Sequence, residues 1–306
     1  MSILQRNGYG SYFNRLTITS DTVIKKESIS LYGYTKINNE KAFYKYINSN
    51  SITFPVPKLI DYGEHWYSME YLSKYTPLYK LYETINIYEK MNIYSTIKSA
   101  LNTLHKQTEK YVSFDVILDD IEYEFKTKLF DRIKVVQDLI DTYSFITSIN
   151  GSTIHSFAES INIHYNRVFN YFNNKQNHIT CVIHGDCQFN NILIHEQTYD
   201  IMFIDPKASF GKTQLFGVPE YDFAKLKFAI SGYDKFDNSD IDSLDIHGTN
   251  INIEFTPLLE NELSNTDILT SMVILIWLGN SHCFIGQPDK AVYSYFYGLY
   301  LAKLYE

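Results

Sequence analysis

The chain has 306 residues, a length that suits two lobes or two domains better than a single core. Hydrophobic residues make up 45% and charged residues 20%, the balance of a soluble globular protein, and the formal net charge of −8 disfavours a nucleic-acid binder, which needs phosphate-neutralising Lys and Arg on one face. The three cysteines, Cys181, Cys187 and Cys283, form no CxxC pair, so neither a disulfide framework nor a zinc site is expected, and a reducing, cytoplasmic setting is the simplest reading.

The first residues carry no apolar run of the kind a secretory signal needs. Residues 12–19 and 23–28 alternate as strands do and flank Ser20-Asp21-Thr22, a hairpin turn. The apolar spacing of Ala42, Phe43, Tyr46 and Ile47 predicts a helix over 37–47, which Phe54-Pro55-Val56-Pro57 then breaks. Two further strands are expected at 58–62 and 66–71. From Leu72 onward the pattern turns helical, at 93–106, 115–143 and 154–172, the last two separated by Asn150-Gly151-Ser152. A strand cluster follows at 179–183, 192–195 and 201–204. Helices are expected again at 221–230, 267–280 and 290–305, with a β-prone piece at 247–255. The apolar stretch around residues 268–278 is too short for a membrane span, which takes about 20 residues, and reads as a buried helix. This order lacks the regular βα alternation of a doubly wound sheet.

The chemistry concentrates in Ile183-His184-Gly185-Asp186-Cys187-Gln188-Phe189-Asn190-Asn191-Ile192-Leu193, where an Asn follows an Asp by five positions and leads into an apolar strand. Protein-kinase catalytic loops share that spacing, with the Asp as base and the Asn as metal ligand. Such a loop holds one carboxylate near an attacking hydroxyl and one amide oxygen on Mg²⁺. A second element, Ile201-Met202-Phe203-Ile204-Asp205-Pro206, ends a buried strand in a carboxylate, where a kinase places its metal-binding Asp. The third is Val218-Pro219-Glu220-Tyr221-Asp222-Phe223-Ala224-Lys225-Leu226.

Together these three segments resemble the aminoglycoside phosphotransferase and choline kinase family, which carries HGDxxxxN, an apolar strand ending in Asp, and a helix opening with a Pro-x-Tyr-Asp-like segment. The match covers about 45 residues, with vaguer agreement in lobe order elsewhere. The resemblance implies an α+β, two-lobed protein-kinase-like fold, with a small strand-rich nucleotide-binding lobe over residues 1–72 and a larger, mainly helical lobe over 73–306. It implies Asp186 as catalytic base, Asn191 and Asp205 as Mg²⁺ ligands, and Asp222 as a brace for the catalytic loop. His184 is expected to hold the loop rather than to react, and Cys187 has no neighbour that argues for a thiolate.

Kinases also place a Lys on a small-lobe strand to bind phosphates and a Glu on a nearby helix to orient it. Strand alternation lets Lys25 or Lys26 take that role; Lys25 is favoured, with Glu40 as its partner. Met69-Glu70-Tyr71-Leu72 lies where the lobes should join, so the backbone of Glu70 and Leu72 is expected to pair with the nucleotide base. Gly8 and Gly10 are candidates for covering the phosphates. Lys207, just after Asp205-Pro206, is a candidate contact for an anionic acceptor. The expected reaction uses Mg²⁺ and ATP to phosphorylate a small-molecule alcohol, of sugar, aminoglycoside or amino-alcohol type. No partner nucleic acid and no membrane span are expected. The rival readings are a catalytically silent kinase-like nucleotide binder and a protein kinase; the interval 205–219 lacks the Ala-Pro-Glu ending of a protein-kinase activation loop.

Overall fold

The computed structural model describes residues 2–4, 13–241, 243–254 and 267–306, so the expected glycine loop at Gly8 and Gly10 lies outside the described residues. The chain divides into two compact units, Met1–Tyr111 with Ile179–Ala229, and Val112–His178 with Ile230–Glu306.

The first unit begins with strands β1 (Ser2–Leu4), β2 (Asn14–Ser20) and β3 (Val23–Ser28), the last two joined by the expected turn. Helix α1 (Leu31–Ser49) starts earlier than its apolar spacing indicated. The Ser30 side chain caps it by accepting the Gly33 N–H at 3.0 Å, while Leu31 and Tyr32 stay exposed and so leave no periodic signal in the first turn. Gly33 allows a close approach, since a Cβ there would stand 2.3 Å from the Phe13 carbonyl oxygen. The stripe that α1 buries contains Ile37, Glu40, Phe43, Tyr44 and Ile47, so a carboxylate sits in the middle of an apolar face and must be paired. Strands β4 (Leu59–Tyr62) and β5 (Trp66–Glu70) complete an antiparallel sheet in the order β1-β2-β3-β5-β4.

Next come β6 (Tyr75–Pro77), α2 (Leu78–Tyr82), α3 (Ile87–Thr108) and β7 (Lys110–Tyr111). A reciprocal capping box between Asn86 and Glu89 starts α3. The chain re-enters this unit through β8 (Ile179–Val182), β9 (Ile192–His195) and β10 (Ile201–Phe203), then passes three two-residue strands into α4 (Pro219–Phe228), which has Pro219 at its first turn. Packing does not follow the change of character at residue 72. Phe54 stacks on Phe203 with centroids 4.6 Å apart, and Phe43 meets the His184 ring edge-on at 6.0 Å, so residues 179–229 group with the N-terminal sheet.

The second unit is mainly helical, with helices at Phe114–Glu122, Lys128–Asp141, Phe157–Asn173, Ile268–Leu278 and Pro288–Leu304. A π turn at Tyr123–Thr127 interrupts the helix expected over 115–143. The Asn150-Gly151 segment, expected to be a plain break between helices, turns a short hairpin, with Asn150 and Gly151 both at positive φ (49° and 79°). That hairpin joins Asp245–His247 and Asn250–Asn252 in a four-stranded sheet. The apolar helix Ile268–Leu278 is buried, as expected, and among the described residues no helix is long and apolar enough to cross a membrane.

Candidate active site

Strand β8 delivers the chain into a loop at 183–188, a single 3₁₀ turn at Phe189–Asn191, and then β9. The β9–β10 pairing sets Ile192 opposite Phe203, and the Ile204 N–H donates to the Asn191 carbonyl at 2.9 Å. A hairpin register thus brings Asn191 and Asp205, fourteen residues apart in sequence, to the same end of two paired strands. Asp205 has φ of 56°, a left-handed conformation that is uncommon for a residue with a Cβ and turns its side chain out of the strand's alternation. His184 fastens the two segments. Its Nε2 donates to the Ile204 carbonyl at 3.0 Å and its Nδ1 accepts the Asp186 N–H at 3.3 Å. Burial depresses the His184 pKa, with Asp222 and Asp186 opposing, and a neutral ring fits one donated and one accepted bond.

Asp205 meets a lysine from the sheet. Lys26 Nζ lies 3.1 Å from Asp205 Oδ1 and donates to both oxygens of Glu40, at 2.9 and 2.8 Å. Tyr67, opposite Lys26 in the β3–β5 register, donates its hydroxyl to Glu40 Oε2 at 2.5 Å. Burial pushes the Glu40 carboxyl above its usual range, with the Lys26 ammonium opposing it and Asp205 adding to it. In β3 the buried residues are Ile24 and Lys26, so Lys26 shares the inward face. Lys25, favoured from the sequence, projects the other way: it pairs with Glu27 at 2.9 Å and stands 4.9 Å from the Trp66 ring. Lys26, the alternative, is therefore the lysine that reaches Glu40 and Asp205.

Asp186 is held through both oxygens. Asn191 Nδ2 donates to Oδ2 at 2.9 Å and to the Asp186 main-chain carbonyl at 3.1 Å, while Lys225 Nζ pairs with Oδ1 at 2.8 Å. Burial raises the Asp186 pKa, but the Lys225 ammonium outweighs it, and the carboxyl stays below its ordinary value. Gly185, at φ 78°, makes the bend before it; a Cβ there would also press to 3.2 Å from the Lys207 Cβ.

Behind the loop, Asp222 is fully buried and collects four donors. It accepts the backbone N–H groups of His184 at 3.0 Å and Gly185 at 2.6 Å, the Cys187 thiol at 3.3 Å, and His105 Nε2 at 2.9 Å. Burial raises its pKa, yet the bond from His105 and the charges and N–H groups around it leave the carboxyl below its usual range. The Cys187 thiol is pushed well up by burial and by Asp222, so it is a hydrogen-bond donor and no nucleophile.

The structure thus brings together Glu40, Asp186, Asn191 and Asp205 of the residues expected from the sequence. Glu70 closes β5, and its N–H donates to the Lys58 carbonyl at 2.9 Å; the next N–H, that of Tyr71, donates to Thr22 at 2.8 Å, and the Leu72 carbonyl accepts from Tyr75 at 3.1 Å. Lys207 donates to the Tyr221 hydroxyl at 3.1 Å, with its charge 4.8 Å from that ring. Sequence reasoning missed Lys225, Tyr67 and His105. Lys225 follows Asp222 by three positions, a same-face helical spacing that could have drawn attention to it; His105 lies 117 residues from its partner and carried no such signal.

The donor set suits Mg²⁺. Because the Asn191 amide nitrogen is engaged with Asp186, its oxygen is left to act as the ligand atom, and the Asp205 carboxylate stands at the same hairpin end. One carboxylate and one amide are hard oxygen donors of the number Mg²⁺ takes from protein when phosphates complete its shell. Among the described residues there is no group of three or more His, Cys, Asp or Glu side chains placed to hold a metal ion.

Among solved structures, the GDP complex of wild-type aminoglycoside 2′-phosphotransferase-IIIa aligns over 100% of this chain and 92% of that one, with a TM-score of 0.57 and 12% identity. A choline/ethanolamine kinase family protein from Mesorhizobium loti aligns over 100% and 88%, with a TM-score of 0.56 and 9% identity. Choline kinase LicA from Streptococcus pneumoniae aligns over 99% and 94%, with a TM-score of 0.52 and 16% identity. No protein-family model and no curated protein matches the sequence. The chain has the protein-kinase-like fold of the aminoglycoside phosphotransferases and choline kinases, with a sheet-rich N-terminal region and a helical C-terminal region.

Proposed function

We propose that the chain is an ATP-dependent small-molecule kinase that transfers the γ-phosphoryl group to an alcohol of a sugar, aminoglycoside or amino-alcohol-type acceptor. The observation that carries this reading is the convergence, inside one compact unit, of the Lys26–Glu40–Asp205 cluster with the Asp186–Asn191 pair. The fold shared with choline kinase and aminoglycoside 2′-phosphotransferase supports it.

In this reading Lys26 binds nucleotide phosphates, and Glu40 with Tyr67 holds its ammonium in place. The backbone of Glu70 and Leu72 meets the base. Asp186 orients the acceptor hydroxyl and takes its proton as the hydroxyl oxygen bonds to the γ-phosphorus and the bond to the leaving ADP oxygen breaks. When bound, Mg²⁺ on the oxygens of Asn191 and Asp205 supplies charge neutralisation at the phosphate oxygens. His184 and Asp222 keep the loop rigid, so that the acceleration rests on positioning and electrostatics. The 2′-phosphotransferase was solved with GDP, so GTP is the second donor to test.

The test is ADP or GDP formation from the Mg²⁺–nucleotide complex across a panel of aminoglycosides, amino alcohols and sugars. Acceptor-stimulated turnover supports the reading; nucleotide binding without stimulation by any acceptor favours a silent binder, and phosphate incorporated into generic proteins favours a protein kinase.

A further inference from the structure

We infer that Lys225 is a positioning residue for this phosphoryl transfer: from α4 it holds one oxygen of Asp186 while Asn191 holds the other, so that the base presents a single orientation to the acceptor hydroxyl. The inference rests on the kinase reading and assigns a role that reading does not contain.

Helix α4 reaches the loop twice. Asp222, in its first turn, grips the loop backbone at His184 and Gly185. Lys225, three residues on and so on the same face, grips the Asp186 side chain at 2.8 Å. The loop's backbone is therefore secured without Lys225, and what Lys225 adds is control of the carboxylate. An Asp side chain has two rotatable bonds; contacts of 2.8 Å at Oδ1 and 2.9 Å at Oδ2, from two separate elements, fix both. The lysine is itself constrained, with 12% of its side chain exposed and its ammonium 5.0 Å from the Phe228 ring one turn further along α4. Holding an ammonium this deep costs desolvation, which the ion pair with Asp186 offsets.

The charge matters as well as the geometry. A bare carboxylate repels the polyanionic phosphate that must come within bonding distance of the hydroxyl it orients. Lys225 offsets that negative charge at 2.8 Å, whereas Lys26, which faces Glu40 and Asp205, serves the nucleotide side. Lys225 makes no contact with Lys26, Asn191 or Asp205 in the pairings described above, so its removal should leave nucleotide affinity in place and appear in kcat.

The experiment uses the full chain, with Mg·ATP and water as the acceptor so that no acceptor need be known. ADP formation, Mg·ATP affinity by calorimetry and melting temperature are measured for the wild type, Lys225→Met and Lys225→Arg. The expected result for Lys225→Met is a kcat loss of roughly 10²-fold with Mg·ATP affinity and KM held within about threefold, and Lys225→Arg recovers at least about tenfold of that loss. A Lys225→Met protein with near wild-type kcat overturns the inference, as does a loss in kcat that Arg does not recover. Failure of both Lys225→Met and Lys225→Gln to fold assigns the pair to the fold and overturns it too. A wild-type chain that neither binds Mg·ATP nor forms ADP overturns the kinase reading itself, and the inference with it; a competent wild type beside an equally competent Lys225→Met overturns only the inference.

Discussion

Lys25 and Lys26 are neighbours on β3, and the pleat sends them to opposite faces, one to Glu27 and Trp66 and the other to Glu40 and Asp205. Lys26→Met is expected to weaken Mg·ATP binding by at least about tenfold, the scale of one lost charge-assisted contact at 1.5–3 kcal/mol, while Lys25→Met leaves it unchanged. Calorimetry on the two variants checks this, and equal affinities would remove Lys26 from the nucleotide site. The phase of β3 was hard to read because Val23 offers an apolar side chain on the outer face, whereas the inner face carries a charge at Lys26 whose pairing depends on a helix fourteen residues away. Asp186, Asn191 and Asp205 were legible for the opposite reason: their spacing is set by one short loop and one hairpin, both local in sequence. Asp205→Ala is expected to abolish the Mg²⁺ dependence of nucleotide binding, because it removes the charged member of the proposed metal pair. Titrations with and without Mg²⁺ measure it, and an unchanged Mg²⁺ dependence would exclude Asp205 as the ligand.

Helix α4 works as a clamp, and its first turn is where stability and chemistry meet. Asp222→Ala strands the N–H groups of His184 and Gly185 and the His105 ring in a buried site, and each unpaired group costs about 1–3 kcal/mol. A lowered melting temperature together with reduced turnover is the expected outcome; a protein that melts and reacts like the wild type would show that the brace is dispensable. The helix itself was visible from Pro219 and the residues after it, but its partner on α3 was not. His105 lies on an apolar stripe with Ile97, Leu101 and Leu104, and only the folded chain brings it 2.9 Å from Asp222. Elsewhere the local patterns misplaced boundaries where side chains rather than periodicity decide them. Ser30 caps α1 ahead of its apolar face, and Asn150 turns a hairpin between two helices because Asn and Gly adopt positive φ at low cost.

At the scale of the whole molecule, each unit buries a neutral histidine. His164, in the helical unit, is depressed to about 4 by burial, with Nε2 donating to the Ala302 carbonyl at 3.1 Å and Nδ1 set 3.3 Å from the Ser271 hydroxyl. Its unfolded value lies near 6.5, so between about 6.5 and about 4 the unfolded chain binds more protons than the folded one. The contribution is complete above that window and is lost as pH falls through it, on the order of 3 kcal/mol in all. His184, lowered in the same direction by burial, adds to the acid sensitivity of the other unit. Melting curves from pH 7 to pH 4 should show this loss, and His164→Gln, which cannot titrate, should flatten part of it; an unaltered pH dependence would show that His164 is not the group responsible. The order of the longer elements along the chain was legible, because strand and helix patterns are local, whereas two- and three-residue strands were not, and the grouping of residues 179–229 with the N-terminal sheet rests on ring contacts such as Phe54 with Phe203 that no local pattern encodes. The central claim is that Asp186 takes the acceptor proton in a site whose nucleotide is held by other residues. Asp186→Asn keeps the size of the side chain and the main-chain bond from Asn191, gives up one of the two side-chain contacts because an amide nitrogen cannot accept from Lys225 or Asn191, and removes the negative group. The most direct measurement is acceptor-dependent ADP formation by this variant beside its Mg·ATP affinity. The account predicts affinity within a few-fold of wild type and kcat lower by about 10²–10⁴, and a variant with near wild-type kcat would contradict it.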